Sequence, residues 1–311
     1  MTTPVLSVSD GSRTTVSDLV GNPYLIPARI LDVLANQFIS ETLLRNAGRN
    51  TNGLVSFHSS TPLYLDGDVE AVAEFAEIPV AAGQMGLPRL AYGIKKGLGV
   101  RVSREMRDEG NVDAVNRQIT QLRNTHVRAD ERALRALLDD PSIPTVAATA
   151  AWDAGATAKI RRDIARAKEQ IASARPAGAP ADSRFGFRAD TVVMPGDIEP
   201  VLEGNEEFNR VYRDGQSSEN IEYTGKLPTK IAGLDPLTSY SFSSNKVLVL
   251  ERGTVGFYSD TRPLEATPLY GEGGGPNGGP TESWRSDSTR KRVMGVDQPL
   301  AACWITGVRA A

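Results

Sequence analysis

The chain has 311 residues, 40% of them hydrophobic and 23% charged, with a formal net charge of −3. Such a composition describes a folded chain of about two domains and carries no global basic signature for nucleic acid. One cysteine, Cys303, excludes an intrachain disulfide framework and fits a reduced, intracellular folding environment. Met1 to Asp10 lacks a basic region followed by an apolar run, and no apolar stretch is long enough to cross a bilayer, so neither a signal peptide nor a membrane partner is expected.

Met1 to Tyr24 is polar and reads as an extended arm or a disordered tail. Ile26 to Asn46 is a predicted helix: Ile30, Leu34 and Phe38 share one line, Leu31 and Ile39 the next, and Gly48 lies past the end. Asn52 to Tyr92 loses that period. Val55 and Phe57 alternate with polar residues, Ser59 to Pro62 breaks the run, and Ala71 to Pro79 follows. Gly83, Gly86 and Pro88 form a turn-rich tip before Leu90 to Val102 resumes as a strand. The result is a long hairpin with thinly apolar faces. An isolated hairpin is marginal in water, so another chain is its expected support.

Asn111 to Asp139 is the dominant element, a long amphipathic helix. Val112, Val115, Ile119, Leu122, Ala129, Ala133 and Leu137 step by threes and fours, with a gap at His126. Asn111 is placed to cap the first turn, Asp113 suits the helix dipole, Gly110 separates the helix from what precedes it, and Pro141 stops it. About 29 residues at 1.5 Å each span roughly 43 Å, the length of a beam across a domain or between subunits. Thr145 to Ala151 is a short strand or loop. Ala156 to Ser173 is a second helix, with Ile160, Ile164, Ala167 and Ile171 at helical spacing. Its other faces carry Lys159, Arg161, Arg162, Arg166 and Lys168, balanced by Asp163 and Glu169 on a solvent-facing helix; phosphate neutralisation by double-stranded DNA is the competing use. Arg175 to Asp182 is an exposed linker. Thr191 to Met194 is a short buried strand, Asp197 to Leu202 and Glu206 to Tyr212 are helical turns, and Ile221 to Pro228 and Lys246 to Glu251 are strands. A glycine loop at Gly271 to Pro280 precedes closing strands from Trp284 to Val308. Strands and helices interleave without βαβ regularity, which predicts an α+β fold.

Chemistry leaves little trace. Two histidines and one cysteine make no metal-binding spacing, and no cofactor is expected. His58 falls in a loop; His126, on the apolar stripe, reads as a core histidine, with a pH-sensitive assembly switch as its functional alternative. Cys303 reads as an inert small apolar residue. Gly271-Glu272-Gly273-Gly274-Gly275 and Gly225-Lys226 both fail the phosphate-loop pattern, and Glu206 and Glu207 read as a solvated face.

The order of these parts resembles that of tailed-phage major capsid proteins, whose Johnson or Hong Kong 97-type fold encapsulins share. Glu74-Phe75-Ala76-Glu77-Ile78-Pro79 is similar to the outer strand of that family's extended E-loop, and Lys95 to Glu105, ending in Ser103-Arg104-Glu105-Met106, to the strand entering its spine helix. Asn111 to Asp139 resembles the spine helix itself. Ala189 to Pro195 and Gly225-Lys226-Leu227-Pro228 resemble axial-domain turns, and Pro299 to Val308 resembles the last peripheral strand. The resemblance implies a Hong Kong 97-type α+β capsid fold with an arm at 1–50, an E-loop at 51–92, a peripheral domain at 93–143 and 263–311, and an axial domain at 144–262. It implies a non-enzymatic protein that assembles with itself into pentamers and hexamers of an icosahedral shell around double-stranded DNA. Portal, scaffold and decoration proteins would be its partners, and the virion, assembled in the host cytoplasm, its location. Phe75, Glu77, Pro79, Arg89, Leu122 and His126 would be subunit-interface residues, and Lys159, Arg161, Arg162, Arg166 and Lys168 would face the lumen. Some family members join an E-loop lysine to a neighbour's asparagine; residues 54–94 contain no lysine, so a noncovalent shell is expected. An encapsulin-type compartment is the alternative, and a soluble α+β enzyme a further one that lacks a visible nucleophile–base pair.

Overall fold

The computed structural model describes residues 20–309, apart from 36, 177–178, 181, 206–207, 210–227 and 274–277. Most of the arm, Glu206 and Glu207, most of the 206–212 turn, the 221–228 strand up to Pro228 and the middle of the glycine loop lie outside the described residues. In chain order the helices are α1 (Leu25–Leu34), α2 (Ile39–Leu43), α3 (Arg104–Asp108), α4 (Val112–Leu138), α5 (Ile160–Ala172) and α6 (Glu199–Glu203). The strands are β1 (Arg45–Arg49), β2 (Leu54–Ser59), β3 (Leu87–Tyr92), β4 (Ile94–Ser103), β5 (Thr145–Ala147), β6 (Thr191–Pro195), β7 (Asp235–Ser239), β8 (Lys246–Leu250), β9 (Gly256–Ala266), β10 (Tyr270–Gly271), β11 (Ser283–Val296) and β12 (Ala302–Thr306).

The chain forms two compact units: Met1–Phe38, Gly93–Ala129 and Asp260–Arg292 make one, and Ile39–Tyr92, Asp130–Ser259 and Val293–Ala311 the other. In the first unit β4 and β10 each pair antiparallel with β11. Val100 and Val102 of β4 and Trp284 of β11 pack with Ile26, Ile30 and Leu34 of α1 and with Val115, Ile119 and Leu122 of α4. Asn111 caps α4 as its sequence position predicts, its Oδ1 accepting from the Ala114 amide at 3.1 Å. Gly110 takes φ +64° at the joint between α3 and α4, a conformation a side chain disfavours.

The second unit is built on a sheet ordered β5-β12-β8-β6-β7. β6, β8 and β12 are apolar and buried almost throughout, because both faces are covered. Val192, Met194, Val247, Val249, Cys303 and Ile305 face Ile160, Ile164, Ala167 and Ile171 of α5. Val193, Leu248, Leu250, Ala302 and Trp304 face Leu134 and Leu138 of α4. Each Val, Leu, Ile or Met side chain among them contributes about 1.5–3 kcal/mol by leaving water.

Several expectations need correction. The predicted helix from Ile26 to Asn46 is two helices and a strand: α1 ends where Ala35 turns extended (ψ 132°), and Arg45–Arg49 is β1. The buried line of α4 runs through Val115, Ile119, Leu122, His126, Asp130, Leu134 and Leu138, so His126 fills the stripe rather than interrupting it. Ala129, Ala133 and Leu137 flank that line, half-buried. Asp130 is tolerated there because Ser40 Oγ donates to its carboxylate at 2.5 Å. His58 lies in β2 rather than a loop. β7 and β9 were not anticipated. The last strand, β12, pairs with β5 and β8, so it belongs to the sheet of the second unit, and its Trp304 packs with Leu134 and Leu138 of α4.

Candidate assembly interface

Between Gly53 and Tyr92 the chain leaves its unit as a hairpin. β2 and β3 pair antiparallel, with Val55 opposite Ala91 and Phe57 opposite Arg89. Beyond Ser59 the ladder ends. The two legs stay together through single bonds, Asp66 N donating to Ala82 O at 3.1 Å and Gln84 Nε2 to Asp66 Oδ1 at 2.7 Å. The apex is a turn in which Ala76 N donates to Ala73 O at 3.0 Å, with Phe75 at φ +66°. The tip is therefore at 73–76. Gly83, Gly86 and Pro88 lie on the returning leg, and Glu74 to Pro79 is a turn and coil, not the strand its sequence resembled.

The hairpin is anchored at its base. Phe57 meets Phe257 edge to face, centroids 5.1 Å apart at 81°. Both rings sit over Gly295, where a Cβ would lie 2.8 Å from Phe257 Cζ and 3.1 Å from Phe57 Cε1. Ser60 N donates to Asp297 O at 2.8 Å, Arg45 pairs with the Asp297 carboxylate at 2.8 Å, and Arg89 pairs with Asp140 at 2.6 Å. Burial raises the Asp297 carboxyl above its ordinary pKa despite Arg45. Burial also works on Asp140, but hydrogen bonds from Ser142 and Arg89 outweigh it and hold that carboxyl low.

Past this anchor the surface changes character. Of twenty large hydrophobic side chains exposed among the described residues, thirteen lie between Leu54 and Tyr92. Val69, Phe75 and Val80 are 97%, 98% and 95% exposed. Monomeric proteins seldom leave that much contiguous apolar surface in water, and where they do it marks an interaction site.

The sites expected from sequence fall into distinct settings. Phe75, Glu77 and Pro79 are exposed near the hairpin apex. Arg89 is half-exposed and engaged with Asp140 of its own unit. Leu122 (3% exposed) and His126 are buried inside the first unit, which corrects their reading as interface residues: the chain itself covers them. His126 Nε2 lies 2.8 Å from Ser288 Oγ, which donates to Leu98 O at 2.7 Å, so the ring Nε2–H donates to Ser288. Burial, then the nearby Arg290, lowers its pKa. On α5, Arg161, Arg162 and Arg166 are exposed and Lys168 is half-buried, as is Lys159 just before the helix. Arg166 and Lys168 donate to the carbonyls of Ala147 and Ala232. Asp163 is no surface balance for these cations: it is buried, accepting from Thr149 N, Thr149 Oγ1 and Trp152 Nε1 at 3.0, 2.6 and 3.1 Å. Cys303 is buried, and burial pushes its thiol up to about 11, well away from reactivity. No cluster of metal-ligating side chains and no helix long and apolar enough to cross a membrane occurs among the described residues.

Residues 89–305 match the family model described as phage capsid protein. The chain belongs to the phage capsid protein family. As a capsid protein it takes the mixed α+β fold of Hong Kong 97-type shells. It superposes on a structure from Microbacterium phage Oxtober96 with a TM-score of 0.59 at 15% identity, covering 86% of this chain and 92% of that one. The capsid of Myoviridae phage XM1 gives 0.56 at 14% identity, covering 87% and 91%. A virus-like particle from Pyrococcus furiosus gives 0.58 at 13% identity, covering 90% and 97%. No curated protein matches this chain.

Proposed function

We propose that this capsid protein is the major shell subunit of a tailed phage, forming pentamers and hexamers of an icosahedral shell that encloses double-stranded DNA, with the hairpin lying across a neighbouring copy. One observation carries the reading: the large exposed apolar side chains concentrate on one element, and that element is fixed firmly at its base. An apolar surface on a fixed lever is suited to cover a second copy. Portal, scaffold and decoration proteins act as further partners in the host cytoplasm, and the exposed Arg161, Arg162 and Arg166 face the lumen as a sequence-independent contact for DNA. The peripheral and axial domains contribute local threefold and capsomer-axis contacts.

Residues 54–94 offer no amine, and Lys95 follows in β4, a strand already paired to β11. The shell is accordingly held by noncovalent burial. Mature particles boiled in detergent and reductant should give one band near the 33.4 kDa chain mass; a ladder of linked pentamers and hexamers would contradict this. The test of the function is deletion of 61–85 with a short linker, followed by negative-stain microscopy of the purified protein. The full chain should give uniform shells and the deletion only small oligomers; shells from the deletion would remove the hairpin from the account. The likeness to the Pyrococcus furiosus particle keeps a cargo compartment as the second reading. Nuclease-protected double-stranded DNA inside native particles supports the phage reading, and enclosed enzyme cargo the compartment.

A further inference from the structure

One face of the first unit's sheet carries a like-charge conflict that is compensated at one end and left open at the other. Along the β4–β11 ladder, Arg101 stands opposite Arg285 and Lys95 opposite Lys291. Side chains alternate between faces. Val100, Val102, Ser286 and Ser288 are buried on the inner face, so these four cations share the outer one. Like charges directly opposite one another across a ladder repel.

At the arginine end the chain supplies the answer. Glu272 lies 2.8 Å from Arg101 and 3.7 Å from Arg285, and Asp287 lies 2.6 Å from Arg285. At the lysine end neither amine has an ion pair or hydrogen bond among the described residues. Lys95 is exposed and Lys291 half-buried, so both amines are within reach of an outside carboxylate.

The same chain carries the complementary charge. Residues 60–86 contain Asp66, Asp68, Glu70, Glu74 and Glu77 and no Lys, Arg or His. All five acids are exposed. Asp66 and Asp68 already accept from Gln84 and from the Val69 amide; Glu70, Glu74 and Glu77 have no partner among the described residues.

We propose that the Lys95–Lys291 pair is the receptor for Glu70, Glu74 and Glu77 on the hairpin of a second copy of this chain. This rests on the reading that the hairpin crosses a neighbour, and it adds where the hairpin lands and what sets its register. Apolar side chains near the apex, such as Phe75, supply burial; the charges steer the encounter and reject misplaced registers. Assembly is therefore slowed by salt, since exposed charges are screened over about 8–10 Å at physiological ionic strength.

The experiment uses full-length protein and follows shell assembly by light scattering at low salt. Reversing the receptor (Lys95→Glu with Lys291→Glu) slows assembly about tenfold or more, and so does reversing the hairpin (Glu70→Lys, Glu74→Lys and Glu77→Lys). All five changes together restore the rate to within about threefold of the parent. A combined variant no better than either half overturns the proposal. Folding is checked separately. Lys95→Glu alone turns a repulsive cross-strand pair into an attractive one, so the free subunit should melt no lower than the parent while assembling more slowly. A lowered melting temperature that accounts for the lost assembly would make the pair merely structural and overturn the proposal. If the receptor reversal leaves assembly intact and lowers only the packaged DNA, the pair serves nucleic acid and the proposal fails. Shells formed without residues 61–85 sink the hairpin reading itself. Shells lost on that deletion but indifferent to charge reversal sink only the receptor.

Discussion

Val249 and Val80 are the same residue with opposite fates: one is 0% exposed in β8, the other 95% exposed on the hairpin. β8 has β6 and β12 beside it, α5 on one face and α4 on the other. Among the described residues, the hairpin leg around Val80 has one partner leg, few bonds to it beyond Ser59, and no element packed over it. The difference is one of addressees. Apolar side chains in the β5–β12–β8–β6–β7 sheet are satisfied inside the chain and fix its fold. Those of the hairpin are left exposed by the chain itself, and on the proposed reading a second copy covers them, so changing them should affect assembly rather than subunit stability.

If that division holds, substitutions inside and outside should separate cleanly. The largest effect is expected from Leu122→Asp, which places an unpaired charge in the core of the first unit and should cost several kcal/mol. Soluble, shell-forming protein at parental yield would break the comparison. Asp163→Ala comes next, at about 2–4 kcal/mol, because the Thr149 amide and Trp152 Nε1 lose their buried acceptor. Chemical denaturation should show this, and a change below about 0.5 kcal/mol would mean water replaces the carboxylate. Gly295→Val should cost about 1–3 kcal/mol by forcing apart the Phe57 and Phe257 rings. It sharpens the comparison, since it loosens the lever while leaving the lever's own surface unchanged: the subunit stays folded and assembles poorly.

His126 gives a smaller, pH-dependent effect. Its pKa is lower folded than unfolded. As pH falls below the unfolded value near 6.5, the unfolded chain binds the proton first, so stability falls with pH until the folded pKa is passed. His126→Gln should flatten melting temperature between pH 7 and pH 5; an unchanged slope would mean another group carries it. Smallest of all is Phe75→Ser, expected to move free-subunit stability by less than about 0.5 kcal/mol while impairing assembly.

Much of this division was legible in the sequence. The three-and-four spacing of Val115, Ile119 and Leu122, with Asn111 before it, located α4 to within a residue at each end. The apolar run Val247 to Leu250 announced a strand, and the structure buries it on both faces. What escaped did so for physical reasons. Arg45–Arg49 forms a strand with every residue exposed, so no apolar alternation announced it. The buried line of α4 passes through Asp130, whose partner Ser40 is ninety positions away and invisible to local pattern. The hairpin apex sits at Phe75 in a left-handed conformation that its sequence does not advertise, while the glycines that looked like the tip serve the returning leg. Asp163 looked like one charge among many because its acceptor role depends on a loop folded back onto α5. The lysine pair, Lys95 and Lys291, could not be seen before the β4–β11 register placed residues of distant segments side by side.

The central claim is that the hairpin's apolar surface is buried by a neighbour in the shell. Hydrogen–deuterium exchange on free subunits and on assembled particles measures it directly. Amides of residues 61–85 should exchange rapidly in free subunits, where few of them are hydrogen-bonded, and become strongly protected in particles, while β6, β8 and β12 stay protected in both. Equal exchange of 61–85 in the two states would contradict the account.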